Sequence, residues 1–157
     1  MERFTFFWRT ESPFSQWHPC RFVIAGISFN CAEQYMMYMK AISFEDNKMA
    51  DKILGSHSPS EQKRLGRSVS NFSADQWQLV CKQIVYDANY AKFTQNPELR
   101  TRLLATSGTT IVEASPDDRI WGIGLAEDHP HARNRSKWRG TNWLGEILTQ
   151  LREDLSQ

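Results

Sequence analysis

The ten residues CAEQYMMYMK, positions 31–40, constrain the fold more than any other stretch. They hold Glu, Gln, Met, Ala and Lys and lack Gly and Pro, a composition that favours a helix. Wound as a helix, they leave almost no polar face, because Tyr35, Met36, Met37, Tyr38 and Met39 surround the axis. A helix that is apolar all round belongs inside a protein. The rest of the chain must therefore wrap it. Yet this helix carries an acid, Glu33, and a base, Lys40.

The remaining segments supply that wrapping. RFTFFW at 3–8 is aromatic with one β-branched residue and reads as a strand. ESPFSQWHPC at 11–20, with Pro13 and Pro19, reads as a loop. RFVIAGISFN at 21–30 reads as a hairpin turning at Ala25-Gly26, and Asn30 or Cys31 then opens the Glu33 helix. A second helix is expected over Glu45–Leu54, closed by Gly55. Ser58 with Glu61 three residues on, and Pro59 in the first turn, mark the start of a third, which stops at Gly66. Ser73 with Gln76 repeats the start signal, and Trp77, Val80, Cys81, Ile84, Ala88 and Ala91 keep helical spacing after it. NPELRTRLLAT adds a short helix and TTIVEAS a strand. The stretch 116–142, rich in Pro, Gly, Trp and charge, reads as a long functional loop. NWLGEILTQLRED closes the pattern as a helix. The fold class is α+β: one domain over 1–157, predominantly helical, with a small N-terminal β element.

Composition narrows the function. A net charge of +1 argues against bulk electrostatic binding of nucleic acid, while leaving room for a local basic site. Three cysteines without metal-ligand spacing suit free thiols in a reducing compartment. MERFTFFWRT has a short apolar run with no small-residue cleavage site after it. No run of about 18 apolar residues is present. A cytoplasmic chain with no membrane partner is the expectation.

Four motifs bear on chemistry. Glu33 and Lys40 stand seven residues apart, two helical turns, and so share a face flanked by Met36 and Met37. A carboxylate in apolar surroundings is biased toward acid/base work near neutral pH, and a nearby cation opposes that bias. The same spacing equally suits a structural ion pair, or a carboxylate favoured by the helix N-terminus. DDRIWGIG places Asp118 before Trp121, Gly122 and Gly124. It is either a close-approach loop with a stacking Trp or a tight turn with a packing one. RNRSKWRG offers Arg133, Arg135, Lys137 and Arg139 around Trp138, as a phosphate grip or as a solvated loop. EDHPHA has two histidines separated by Pro130 and no partner cluster, so no metal site is expected. No nucleophile elbow and no Cys–His pairing is visible.

In order along the chain, Phe14, Ser15 and Trp17, then Glu33, Tyr35 and Lys40, then Gly66-Arg67, Trp77, the KFTQN of Lys92–Asn96, Asp118, Trp121, Gly122, Gly124, and finally Gly140, Asn142, Leu144, Gly145 and Arg152 resemble the signature of the NADAR, or YbiA-like, family. Two departures stand out. Gln34 stands where the family often has His, and Gln16-Trp17 replaces Asn-Phe. The resemblance implies hydrolysis of a bond between ribose C1 and nitrogen without a cofactor. The substrate is either a phosphorylated ribosylamine of the early riboflavin pathway or ADP-ribose attached to guanine in DNA. The rival from another class is a non-catalytic reader of NAD or ADP-ribose. The resemblance implies Glu33, Lys40 and Asp118 as the catalytic set. It implies Phe14, Ser15, Trp17, Tyr35, Arg67, Trp77, Trp121, Gly122, Gly124 and Asn142 as substrate-binding. Lys40 is left three roles: charge partner of Glu33, phosphate grip, or amine nucleophile.

Overall fold

The computed structural model describes residues 1–157. The elements in chain order are β1 (Phe4–Phe7), β2 (Phe22–Ile24), β3 (Ile27–Phe29), α1 (Ala32–Ser43), α2 (Asn47–Leu54), α3 (Pro59–Gly66), α4 (Ala74–Gln95), α5 (Pro97–Leu104), β4 (Thr110–Glu113), a 3₁₀ turn over Arg135–Lys137, and α6 (Trp143–Leu155). This is the expected α+β class. The chain forms two compact units, residues 16–97 and residues 1–15 with 98–157.

In the unit 16–97, local chemistry sets most boundaries. Ala25 and Gly26 both adopt positive φ, +52° and +80°. Two left-handed residues in a row make the tight turn whose twist matches antiparallel strands, and β2 pairs with β3 across it. Ser58 caps α3 by accepting the Glu61 N–H at 3.3 Å, and Ser73 caps α4 by accepting that of Gln76 at 3.3 Å. The second helix starts later than the expected Glu45. Glu45 takes a left-handed φ of +59°, and Asp46 caps α2 through the Met49 N–H at 3.1 Å.

No side chain caps α1. The first-turn N–H of Glu33 donates instead to the Gln16 carbonyl at 3.0 Å, so the loop before the hairpin satisfies a donor the helix leaves open. The helix is buried throughout from Ala32 to Met37. Its last turns are only half-covered at Tyr38, Met39 and Lys40 and exposed at Ile42 and Ser43. The all-round burial read from the sequence thus holds for its first half. Gly66 explains how α3 reaches α1 so closely. A Cβ there would overlap Met37 Sδ, so any larger residue would force that side chain to shift.

In the other unit, β1 and β4 pair in parallel, Phe4 opposite Thr110 and Phe7 opposite Glu113. Val112, Ile123, Leu125 and Ala132 form its buried centre, covered by Phe4, Phe6 and Trp138. Helix α6 approaches β4 through Gly145, whose Cβ would lie 2.1 Å from the Ile111 carbonyl oxygen. The stretch 116–142 is less open than its composition suggests. Backbone bonds lace it together, among them Asn142 N–H to the Gly122 carbonyl and Arg139 N–H to the Ile123 carbonyl, at 3.0 and 2.9 Å.

Candidate active site

Within residues 16–97, the structure brings Glu33, Lys40 and Arg67 into one electrostatic neighbourhood. Glu33 is 6% exposed. Lys40 is half-buried, and that burial holds its amine below the ordinary lysine value. Glu33 opposes the shift, and Arg67 adds to it. The result is a carboxylate and an amine on one helix face, with part of the amine's hydration replaced by protein. Such surroundings raise the neutral, nucleophilic fraction of an amine. The Lys40 Nζ lies 4.4 Å from the centre of the Phe72 ring.

The other residues expected here fall into two groups. Trp17 and Trp77 are half-buried, Trp77 near the start of α4, and Arg67 is exposed at the end of α3. Tyr35 lies on another side of α1. It is two residues from Glu33, and its ring meets Phe29 edge-on at 5.0 Å and Phe22 at 6.4 Å. Burial raises its hydroxyl above the ordinary tyrosine value. Its ring thus locks the hairpin onto the helix.

The position after Glu33 belongs to the framework as well. Gln34 is buried, accepts the Asn30 N–H at 2.8 Å and donates to the Ile53 carbonyl at 3.0 Å. Gln62 continues the network, donating to Asn30 Oδ1 and the Ser56 carbonyl and accepting from Cys31 Sγ at 3.1 Å. These ties fix the first turn of α1, and hence the direction in which Glu33 leaves it.

KFTQN is structural at its end and unusual at its start. Gln95 pairs with both backbone groups of Val23, at 2.8 and 2.9 Å, extending the edge of the hairpin. Asn96 donates to the carbonyls of Arg21 and Lys92. Lys92 is wholly buried, and burial pushes its amine down to about 8, partly opposed by Cys20 and Cys31. Nothing in the helical periodicity marked it, since a lysine at that spacing ordinarily reads as a solvated position.

Within the second unit, Asp118, Trp121, Gly122, Gly124 and Asn142 are brought together around one loop. Asp118 Oδ1 accepts the N–H groups of Ile120 and Trp121 at 2.9 and 2.8 Å, and its carbonyl accepts that of Gly124. Gly124 has φ of +70°, and a Cβ at Gly122 would lie 2.8 Å from the Glu113 carbonyl oxygen, so both glycines are required by the backbone path. Trp121 is half-buried and meets Trp143 edge-on at 5.6 Å. Asn142, fully buried with φ of +54°, starts α6 without capping it. Its side chain accepts the Glu113 N–H at 3.0 Å and donates to the Ile111 carbonyl at 3.1 Å, fastening the helix to β4. Phe14 and Ser15 are both buried, and Phe14 packs edge-on against Phe7 at 5.8 Å.

Two of the four basic residues of RNRSKWRG, Arg133 and Arg135, are engaged within their own unit. Arg135 pairs with Glu2 and, at 2.7 Å, with Glu146, and stacks over Trp138. Its hydrogen bond holds the Glu2 carboxyl below the usual range. Arg133 lies over the Phe6 ring. His129 Nδ1 accepts the His131 N–H at 3.0 Å. No group of three or more His, Cys, Asp or Glu is arranged to hold a metal ion. No helix is long and apolar enough to cross a membrane.

Comparison with known proteins decides the family, because the NADAR domain matches residues 6–156, nearly the whole chain. The chain belongs to the NADAR family. It is 44% identical to an N-glycosidase of Acanthamoeba polyphaga mimivirus over 149 residues, covering 92% of this chain and 88% of that protein. It is 43% identical to protein irg-1 of Caenorhabditis elegans over 132 residues, 82% of this chain but only 62% of the worm protein's length. N-glycosidase YbiA of Escherichia coli is 35% identical over 119 residues, 76% of this chain and 68% of YbiA. The NMR structure of YbiA superposes with a TM-score of 0.81 at 31% identity, covering 99% of this chain and 87% of that one. Two of these NADAR relatives are thus named N-glycosidases, and the YbiA fold is the fold of this chain.

Proposed function

We propose that this protein is an N-glycosidase that hydrolyses a ribose C1–N bond, in a phosphorylated ribosylamine or in ADP-ribosylated guanine. The observation that carries the reading is the placement of Glu33 and Lys40 on one face of α1, a buried carboxylate and an amine that burial holds below its ordinary value. The names of its NADAR relatives support the same reaction class.

Breaking a ribosyl C–N bond builds positive charge on the sugar and needs a proton for the departing nitrogen. Glu33 is the proposed acid/base. Lys40 is the proposed nucleophile toward the opened sugar. Ring opening breaks the C1–O bond, whose electron pair and a proton from Glu33 go to the ring oxygen while the substrate nitrogen's lone pair makes C1=N⁺. The Lys40 lone pair then adds to C1. The leaving nitrogen takes one Lys40 proton and departs with the C1–N pair, and the freed Nζ lone pair closes the cationic Nζ=C1 linkage. Water, giving its proton to Glu33, then attacks C1, and the Nζ–C1 pair returns to Lys40. Arg67 is the proposed phosphate contact, and Trp17 and Trp77 the proposed ring-stacking surfaces. Asp118, Trp121, Gly122 and Gly124 form the proposed ligand-contacting loop of their own unit. Phe14, Ser15, Tyr35 and Asn142 support substrate binding through the backbone they order.

The test is a product assay. The protein is incubated separately with riboflavin-pathway intermediates, NAD, ADP-ribose and ADP-ribosylated DNA, and released bases and sugars are read by mass spectrometry. Release from one of these, with a borohydride-trapped sugar on the Lys40 peptide, is the expected result. Affinity that falls steeply with salt would identify the DNA substrate. Tight binding with no released base from any substrate would make the protein a nucleotide or ADP-ribose reader instead.

A further inference from the structure

Phe72 occupies an unusual position for an aromatic side chain. It is 45% exposed, in the short connection between α3 and α4, yet several contacts fix it in place. Its ring meets the buried Phe44, the residue closing α1, at 5.3 Å in an edge-on arrangement. Its face is presented to the Lys40 amine at 4.4 Å. Asn71 just before it has φ of +61°, a left-handed turn that redirects the chain there.

The connection is tethered from below. Asp46 Oδ2 accepts the Ser70 N–H at 2.9 Å, while Asp46 Oδ1 accepts the Met49 N–H that caps α2. The Asp46 N–H in turn donates to the Ala41 carbonyl, next to Lys40 on α1. These bonds hold the Asp46 carboxyl below its ordinary value, as expected of a carboxylate that accepts two backbone donors. A continuous path runs from α1 through Asp46 and Ser70 to Phe72 and back to the Lys40 amine.

We propose that Phe72 is a positioning residue for Lys40, and that Asp46 holds Phe72 in register. The inference rests on the reading of Lys40 as the reacting amine. A flexible lysine has four rotatable bonds and a strongly hydrated head. An aromatic face at this distance restricts its conformations and excludes water from one side while still favouring a cation. The same face suits the cationic Nζ=C1 linkage that attack on an opened sugar produces. That linkage carries a positive charge that the neutral attacking amine lacks, so the ring favours the charge that develops as the bond forms. The charged groups that act on Lys40 besides the ring are Glu33 on its own helix and Arg67 at the end of α3.

The experiment has two independent arms on the full chain. In the first, lysine is isotopically labelled and the Lys40 εCH₂ signal is followed by NMR from pH 6 to pH 11, a range of about five units chosen to span ordinary lysine titration. The account expects this signal to stand upfield of the exposed lysines because of the Phe72 ring current. The upfield position should be lost in Phe72→Leu and retained in Phe72→Tyr. Asp46→Asn keeps one acceptor but cannot serve both N–H groups, and should lose part of it. In the second arm, Phe72→Leu lowers kcat about tenfold with KM little changed, the size of one partly desolvated cation–π contact. Phe72→Tyr restores most of it.

An unmoved Lys40 signal in Phe72→Leu overturns the proposal. So does a loss that falls on KM alone, which would make Phe72 a substrate contact. A protein that releases no base from any substrate defeats the glycosidase reading, and the NMR arm then still decides whether Phe72 positions the amine.

Discussion

The Glu33 N–H donates to the Gln16 carbonyl at 3.0 Å, so the start of the buried helix is fixed by the loop before the hairpin, not by a capping side chain of its own. The Gln16 side chain extends the tie. Its Nε2 approaches Met36 Sδ at 3.9 Å, and its Oε1 accepts from Asn89 Nδ2 at 2.9 Å, joining α1 to α4. Asn89 is fully buried and its Oδ1 has no partner, so this network has little to spare.

Truncating that side chain tests the tie. Gln16→Ala keeps the backbone carbonyl that receives Glu33 but strips Asn89 of one of its two acceptors. The expected loss is about 1–2 kcal/mol in urea unfolding, the range for a buried donor left short. An unchanged midpoint would mean that the side-chain bond contributes nothing to holding α1 on α4.

The sequence disclosed those parts of the fold that short-range chemistry decides. Ser58 and Ser73 cap the helices they announce, and the Ala25-Gly26 turn closes the hairpin it suggests. What escaped was whatever long-range geometry decides. The α1 cap comes from a carbonyl 17 residues upstream, Gln16 to Glu33. Asn142, expected only as a substrate-binding residue, fastens α6 to β4 through its side chain. Arg135 sits in an apparently solvated basic run and pairs with Glu2, which is remote in sequence. Of the candidate site, the placement of Glu33 and Lys40 on one face of α1 follows from helical periodicity alone. Phe72 and Asp46 carry no such signal, because a loop ring meets a helix amine only once the chain is folded.

Asp118 separates shape from charge. Its Oδ1 accepts two loop N–H groups, and an asparagine oxygen can accept them equally well. Asp118→Asn should therefore unfold as the wild type does. As a catalytic carboxylate its loss would cut kcat about 100-fold. Asp118→Ala should lose about 1–2 kcal/mol of stability as well, from unsatisfied donors. Wild-type turnover in Asp118→Asn would confine Asp118 to shaping the loop.

Lys92 predicts a pH dependence of stability. Its amine loses its proton near 8 in the folded protein, against an ordinary value of 10.5 in the unfolded chain. Between those values the unfolded chain binds more protons, so stability rises with pH across that window. The Cys31 thiol, pushed up to about 12 by burial, acts in the opposite sense above pH 9. The difference between wild type and Lys92→Met reports the lysine together with its coupling to Cys20 and Cys31. That difference should shift by about 3 kcal/mol in favour of the wild type from pH 8 to pH 10.5, read from thermal unfolding. A flat difference would mean that Lys92 remains charged in the folded state.

The most direct test of the central claim is turnover and binding by Glu33→Gln, measured on the same preparation with the substrate the product assay identifies. Glutamine keeps the size and the hydrogen-bonding reach of the side chain but cannot take up or give a proton as a carboxylate does. The account predicts ligand affinity within a few-fold of wild type and base release slowed at least about 100-fold. Base release at the wild-type rate from a folded Glu33→Gln protein would contradict it.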